Sequence, residues 1–157
     1  MTENHFHSLP YKLEDTYILP FGNFYFYEKF VVAEIGEGVL YDAHMVNMVL
    51  EIIDSHYGKR ANRGYISHRI HEYTVDKTAW SFFTKRINRF SGYATVPAHK
   101  ESFWNKILNV NKTQFEKATF DDLLDAASWI TSLGILIKNR KIAKKYISPL
   151  KNRTHLL

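Results

Sequence analysis

Cysteine is absent from the 157 residues. That excludes disulfides, thiolate nucleophiles and Cys-based zinc or iron–sulfur sites. It also fits a reducing compartment, so a cytoplasmic location is expected. No window approaches the roughly 18 uninterrupted apolar residues of a membrane span. The opening Met1-Thr-Glu-Asn-His-Phe-His7 has neither the basic nor the apolar region of a secretion signal. Catalytic motifs are missing as well. Gly36-Glu-Gly38 lacks a third glycine and reads as a turn, and there is no His-Glu-x-x-His or Gly-x-Ser-x-Gly. The chain is therefore expected to be non-enzymatic and to need no metal or cofactor.

Acid is also missing from one end. Residues 138–157 carry seven Lys or Arg and no Asp or Glu, which leaves 14 basic against 16 acidic residues over 1–137, a net of −2. The overall +5 thus belongs to the tail and not to the domain. Arg140, Lys141, Lys144 and Lys145 are candidates for contacting a polyanion: nucleic acid, an anionic membrane or an acidic protein. A solvated terminal helix is the plain alternative.

What is abundant is aromatic: 11 Phe, 10 Tyr and 3 Trp, within 45% hydrophobic residues. At this length, that implies one domain with one sizeable core. Residues 1–16, broken by Pro10, read as an N-terminal arm of low order. His5 and His7 within it are either solvated or a short metal tract. Phe24-Tyr-Phe-Tyr27, the polar pair Glu28-Lys29 and Phe30-Val-Val-Ala-Glu-Ile35 predict a hairpin. Asp42 is placed to cap a helix carrying Met45, Val49, Ile52 and His56, which Gly58 should end.

Gly64 to Ile70 predicts a central strand. Asp76 can then cap a helix carrying Trp80, Phe83 and Ile87. Phe90 to Val96 is a further strand, and a third helix carries Phe103, Trp104, Ile107 and Leu108. A short strand at Phe115 to Phe120 and a helix from Asp121, stopped by Gly134, complete the domain. The order β-β-α-β-α-β-α-β-α predicts a single-domain α/β fold over 17–137 with a mixed sheet, flanked by the arm and the basic tail of 138–157.

This order resembles the SpoIIAA-like group, related to the STAS domains of anti-sigma-factor antagonists. The resemblance covers roughly residues 21–134. Phe24–Phe30 leads into Val31-Val-Ala-Glu-Ile-Gly-Glu37 and the helix from Asp42, and the closing helix contains Asp121-Asp-Leu-Leu-Asp-Ala-Ala-Ser-Trp129. It implies a non-enzymatic regulatory or protein-interaction module. STAS antagonists carry a phosphorylatable Ser in an Asp-Ser-Gly-like turn after the central strand. Here the matching place reads His71-Glu-Tyr-Thr-Val-Asp-Lys-Thr78 without Ser-Gly, so only the site carries over; Thr74 is the candidate hydroxyl for a modification there.

His68, Arg69, His71, Tyr73, Thr74 and Asp76 are the candidate partner-binding group at the exit of the central strand. Their structural alternative has Arg69 pairing with Glu72 or Asp76 while Tyr73 caps the core. His68 and His71 lie three apart, but alternation along a strand should send their side chains apart, against a shared metal. Two further readings stay open: a small apolar, lipid-like ligand held between sheet and helices, and a polyanion or membrane adaptor acting through the tail. A homodimer is compatible with an exposed edge. An aromatic-lined internal cavity would favour the ligand binder over the interaction module.

Overall fold

The computed structural model describes residues 9–59, 62–86, 89–98 and 117–154, with backbone alone at 137 and 145–154. His5, His7, Ile87, the helix expected at 103–108 and the side chains of Lys145 and Tyr146 lie outside the described residues.

Strand β1 (Leu13–Leu19), β2 (Gly22–Tyr27) and β3 (Phe30–Ile35) form an antiparallel meander. Next to β3 the parallel strands β5 (Arg63–Arg69), β7 (Phe90–Pro97) and β8 (Lys117–Thr119) complete a six-stranded sheet in the order β1-β2-β3-β5-β7-β8. The mixed α/β sheet is thus present, with the hairpin turning at Glu28 and Lys29. All six residues of β3 are buried, Glu34 among five apolar ones, because the strand lies mid-sheet with both faces covered.

Helix α1 (Ala43–Tyr57) and α2 (Lys77–Thr84) cover one face, and α3 (Leu123–Thr154) covers the other. Alternation along each strand sorts the side chains between them. Phe24, Phe26, Val31, Ala33, Ile35 and Tyr65 face α1 and α2, whereas Tyr27, Val32, Ile66, Ala94 and Val96 join Ala126, Ala127 and Ile130 of α3. The Asp42 carboxylate accepts the Met45 amide at 2.9 Å, so the expected cap of α1 is present. At the other end Gly58, at φ +89°, sends its amide to the Asp54 carbonyl, satisfying one of the orphan carbonyls there.

Two expectations are corrected. β1 starts at Leu13, inside the stretch read as a loose arm, and pairs along β2. α3 does not stop at Gly134 but continues to Thr154, through the residues expected as a tail. A glycine costs a helix interior only about 1 kcal/mol relative to alanine, too little to end a helix continued by good formers such as Leu136 and Lys138. A second, two-stranded parallel ladder also joins β4 (Leu40–Tyr41) to β6 (Thr74–Val75). Through it the loop after β5 is strapped to the loop before α1: the Gly38 amide donates to the Glu72 carbonyl, Thr74 to Val39 and Asp76 to Tyr41.

Candidate functional site

The strap and α2 stand over the carboxyl half of β5 and β7, and between them lies a cavity of about 630 Å³. Its location follows from the pleat. Tyr65, Ser67 and Arg69 alternate onto the same face of β5, and Tyr93 pairs with Tyr65 across the parallel register. These residues form the floor. Ala79, Trp80 and Phe83 of α2 form the opposite wall, Val46 of α1 closes the inner end, and Tyr41, Tyr73 and Val75 close the strap side.

Six aromatic rings surround the space: Tyr41, Tyr65, Tyr73, Tyr93, Trp80 and Phe83. They brace one another. Tyr65 stacks on Tyr93 with centroids 5.4 Å apart, Trp80 stacks on Phe83 at 6.0 Å, and Tyr65 meets Phe83 edge-on at 5.2 Å. Such contacts hold rings in place without filling the volume between them.

Among the polar lining residues, Ser67, Arg69 and Tyr73 meet one another. Arg69 is only 8% exposed. Its guanidinium carbon lies 3.9 Å from the centroid of the Tyr73 ring, and Nη2 donates to the Tyr73 carbonyl at 3.1 Å. The Ser67 and Tyr73 hydroxyls are 3.3 Å apart. Burial pushes the phenols of Tyr41, Tyr65, Tyr73 and Tyr93 up from their ordinary value, so all four stay protonated and able to donate. For Tyr73 and Tyr93, the positive charge of Arg69 works in the opposite direction without overcoming burial. At the far edge Lys117 Nζ lies 5.2 Å from the Trp80 centroid, and partial burial pulls its pKa down.

The structure divides the residues grouped at the strand exit. Arg69, Tyr73, Thr74 and Asp76 line the cavity. His68, one residue before Arg69, points to the opposite face of the sheet, where Nδ1 meets Glu34 Oε2 at 2.9 Å. His71 is exposed, with Nδ1 3.7 Å from Glu37. The two histidines therefore diverge onto different acids. Thr74 is exposed on β6, whereas Asp76 stands at the N-cap position of α2 but, against expectation, makes no side-chain cap hydrogen bond. The Asp76 carboxylate accepts from Thr78 Oγ1, and this bond holds its pKa below the ordinary value. In the tail Arg140, Lys141 and Lys144 are exposed along α3.

Sequence reasoning missed Tyr41, Tyr65, Ser67 and Tyr93. One signal was available: Ser67 is a polar residue in the middle of β5, and its register partner Thr95 is another, both of them buried. Adjacent buried hydroxyls in a central sheet mark a place where polar contacts are kept on purpose.

Among solved structures, the chain is similar to an uncharacterised protein of the DUF3478 family with a SpoIIAA-like fold from Shewanella loihica PV-4. The TM-score is 0.49 at 14% identity, over 76% of this chain and 94% of that one. The likeness is one of fold. No family model and no curated protein matches the sequence.

Proposed function

We propose that the protein is a non-enzymatic binding module whose cavity takes a small, flat, mainly aromatic or apolar molecule with one anionic or hydrogen-bond-accepting end. The observation that carries this reading is the aromatic-lined space of about 630 Å³ with Arg69 in its wall. That volume falls within the usual range for small-molecule sites, as does a lining of rings with a few convergent polar groups. Arg69 can only donate and the protonated phenols can donate beside it, so the recognised end should be an acceptor. The rings supply stacking faces and little else.

The non-enzymatic part rests on the titratable groups around the space. A general base working near neutral pH needs a pKa near neutral. The four phenols are pushed up from their ordinary value, the Asp76 carboxylate is held below its own, and His68 lies across the sheet.

A matched pair of ligands tests the reading. Naphthalene carboxylate should raise the melting temperature more than the neutral naphthalene carboxamide of the same shape, because only the former presents an anion to Arg69. If neither raises it at millimolar concentration, the binding reading is wrong.

A regulatory role in protein interaction is a second reading, favoured by the outside of the strap. Exposed Leu40, paired in register with Thr74, and exposed Ile70 bring apolar surface next to His71, Glu72 and Thr74. A partner seated there would sense whether the cavity beneath is occupied. Leu40→Asp should then abolish partner capture while ligand-induced stabilisation persists; capture that survives Leu40→Asp removes this second role.

A further inference from the structure

We propose that the second half of α3 is a surface-binding amphipathic helix whose partner is an anionic lipid membrane. At 100° per residue, Ile135, Leu136, Ile142 and Ala143 fall within about a third of the helix circumference, with Asn139 the one polar residue among them. Lys138, Arg140, Lys141 and Lys144 occupy the remainder. The first half of α3 spends its apolar residues on the sheet, through Ala126, Ala127 and Ile130. Among the described side chains, the second half does not. Ile135 is 60% exposed, Leu136 44% and Ile142 48%, and Lys138, Arg140, Lys141 and Lys144 are exposed beside them.

Charge and apolarity together select the partner. Residues 138–157 contain no acid, so every cation in the segment needs its counter-charge from outside. A second copy of the helix would bring like charges together and is the wrong complement. A nucleic-acid backbone would satisfy the cations but offers no apolar sink for the isoleucines. An anionic bilayer surface offers both, with phosphate groups at the level of the lysines and acyl chains just below. No helix among the described residues is long and apolar enough to cross a membrane, so the contact is one of lying on the surface.

The test is co-sedimentation of the full chain with vesicles of phosphatidylcholine, with and without phosphatidylglycerol, at two salt concentrations. The expected result is binding only to the phosphatidylglycerol vesicles, weakened by salt. Ile135→Asp or Ile142→Asp should weaken it by about tenfold or more, since each removes one buried aliphatic side chain from the contact. Both side chains are solvent-exposed, so the variants should keep the wild-type melting temperature. Replacing Lys138, Arg140, Lys141 and Lys144 together by Gln should abolish binding, at roughly fivefold per charge. Absence of binding to anionic vesicles overturns the proposal, as does equal binding to neutral ones. Binding lost in the Gln variant but untouched by both Asp variants overturns it as well, because the helix would then be a general polyanion contact.

Discussion

The guanidinium carbon of Arg69 lies over the ring of Tyr73, 3.9 Å from its centroid, and Nη2 donates to the carbonyl of the same residue. One side chain thus fixes both the ring and the backbone of the residue that leads into β6. Because β6 is strapped to β4, Arg69 also sets the position of the cavity's outer wall. A buried cation at a strand end here positions the wall of the cavity.

Arg69→Ala should therefore destabilise the fold by about 2–3 kcal/mol, since it removes a desolvated cation–π contact and a charged hydrogen bond. Arg69→Lys should recover little of this, because an ammonium neither stacks flat nor reaches as a fork. Urea unfolding of the pair checks both values. A loss below about 0.5 kcal/mol for Arg69→Ala would place the side chain among ordinary surface groups.

Gly64 tests the packing of α3 on the sheet. A Cβ at this position would run into Ile130 Cγ1 and would lie 2.6 Å from its Cδ1, while Ile130 itself is buried. Gly64→Ala should cost about 1–3 kcal/mol through overpacking. In the background of Ile130→Ala, the same substitution should be nearly neutral, giving a coupling that a double-mutant cycle reads directly.

Much of this frame was legible in the sequence, for reasons visible in individual residues. Asp42 and Gly58 bound α1 because both act locally, one through its carboxylate and the other through its backbone freedom. The hairpin could be read because its aromatic strands are buried on alternate faces. β1 could not: as an edge strand it half-buries only Leu13, Tyr17 and Leu19, and its Glu14-Asp15-Thr16 reads as loop. β4 and β6 are two residues each, too short for any periodicity. At the site, His68 and Arg69 are neighbours in sequence, yet the pleat sends them to opposite faces. The cavity's rings come from five separate elements, so no local motif announces them.

The buried phenols make alkaline stability a readout of the cavity floor. Tyr41, Tyr65, Tyr73 and Tyr93 are all held above the ordinary value of 10.0. As pH rises past about 10, the unfolded chain loses these protons while the folded one keeps them, so stability is full below that pH and falls above it. Each such group contributes a slope of about 1.4 kcal/mol per pH unit. Urea midpoints measured from about pH 9 to about pH 11 should show one increment less of slope in Tyr93→Phe. An unchanged slope would mean that Tyr93 already ionises when folded.

Removing residues 138–157 should leave the domain folded, with stability changed by about 0.5 kcal/mol or less. The packing of α3 on the sheet is made by residues up to Ile130, and exposed Lys138, Arg140 and Lys141 lie beyond it. Calorimetry of the shortened chain checks this, and a melting temperature lowered by many degrees would make the second half of α3 part of the core.

Whether the space between α2 and the sheet is open and accepts ligand is tested most directly by Val46→Phe. Val46 is buried at the inner end of the cavity, and a benzyl group there would occupy the space a ligand needs. The measurement is thermal unfolding of this variant and of the wild type, each with and without naphthalene carboxylate. The account predicts an unliganded melting temperature equal to or above wild type, as cavity-filling substitutions give, together with loss of the ligand-induced rise. A collapse of the unliganded melting temperature would mean that the core is already full at Val46, and an undiminished ligand response would mean that the ligand sits elsewhere; either result contradicts the account.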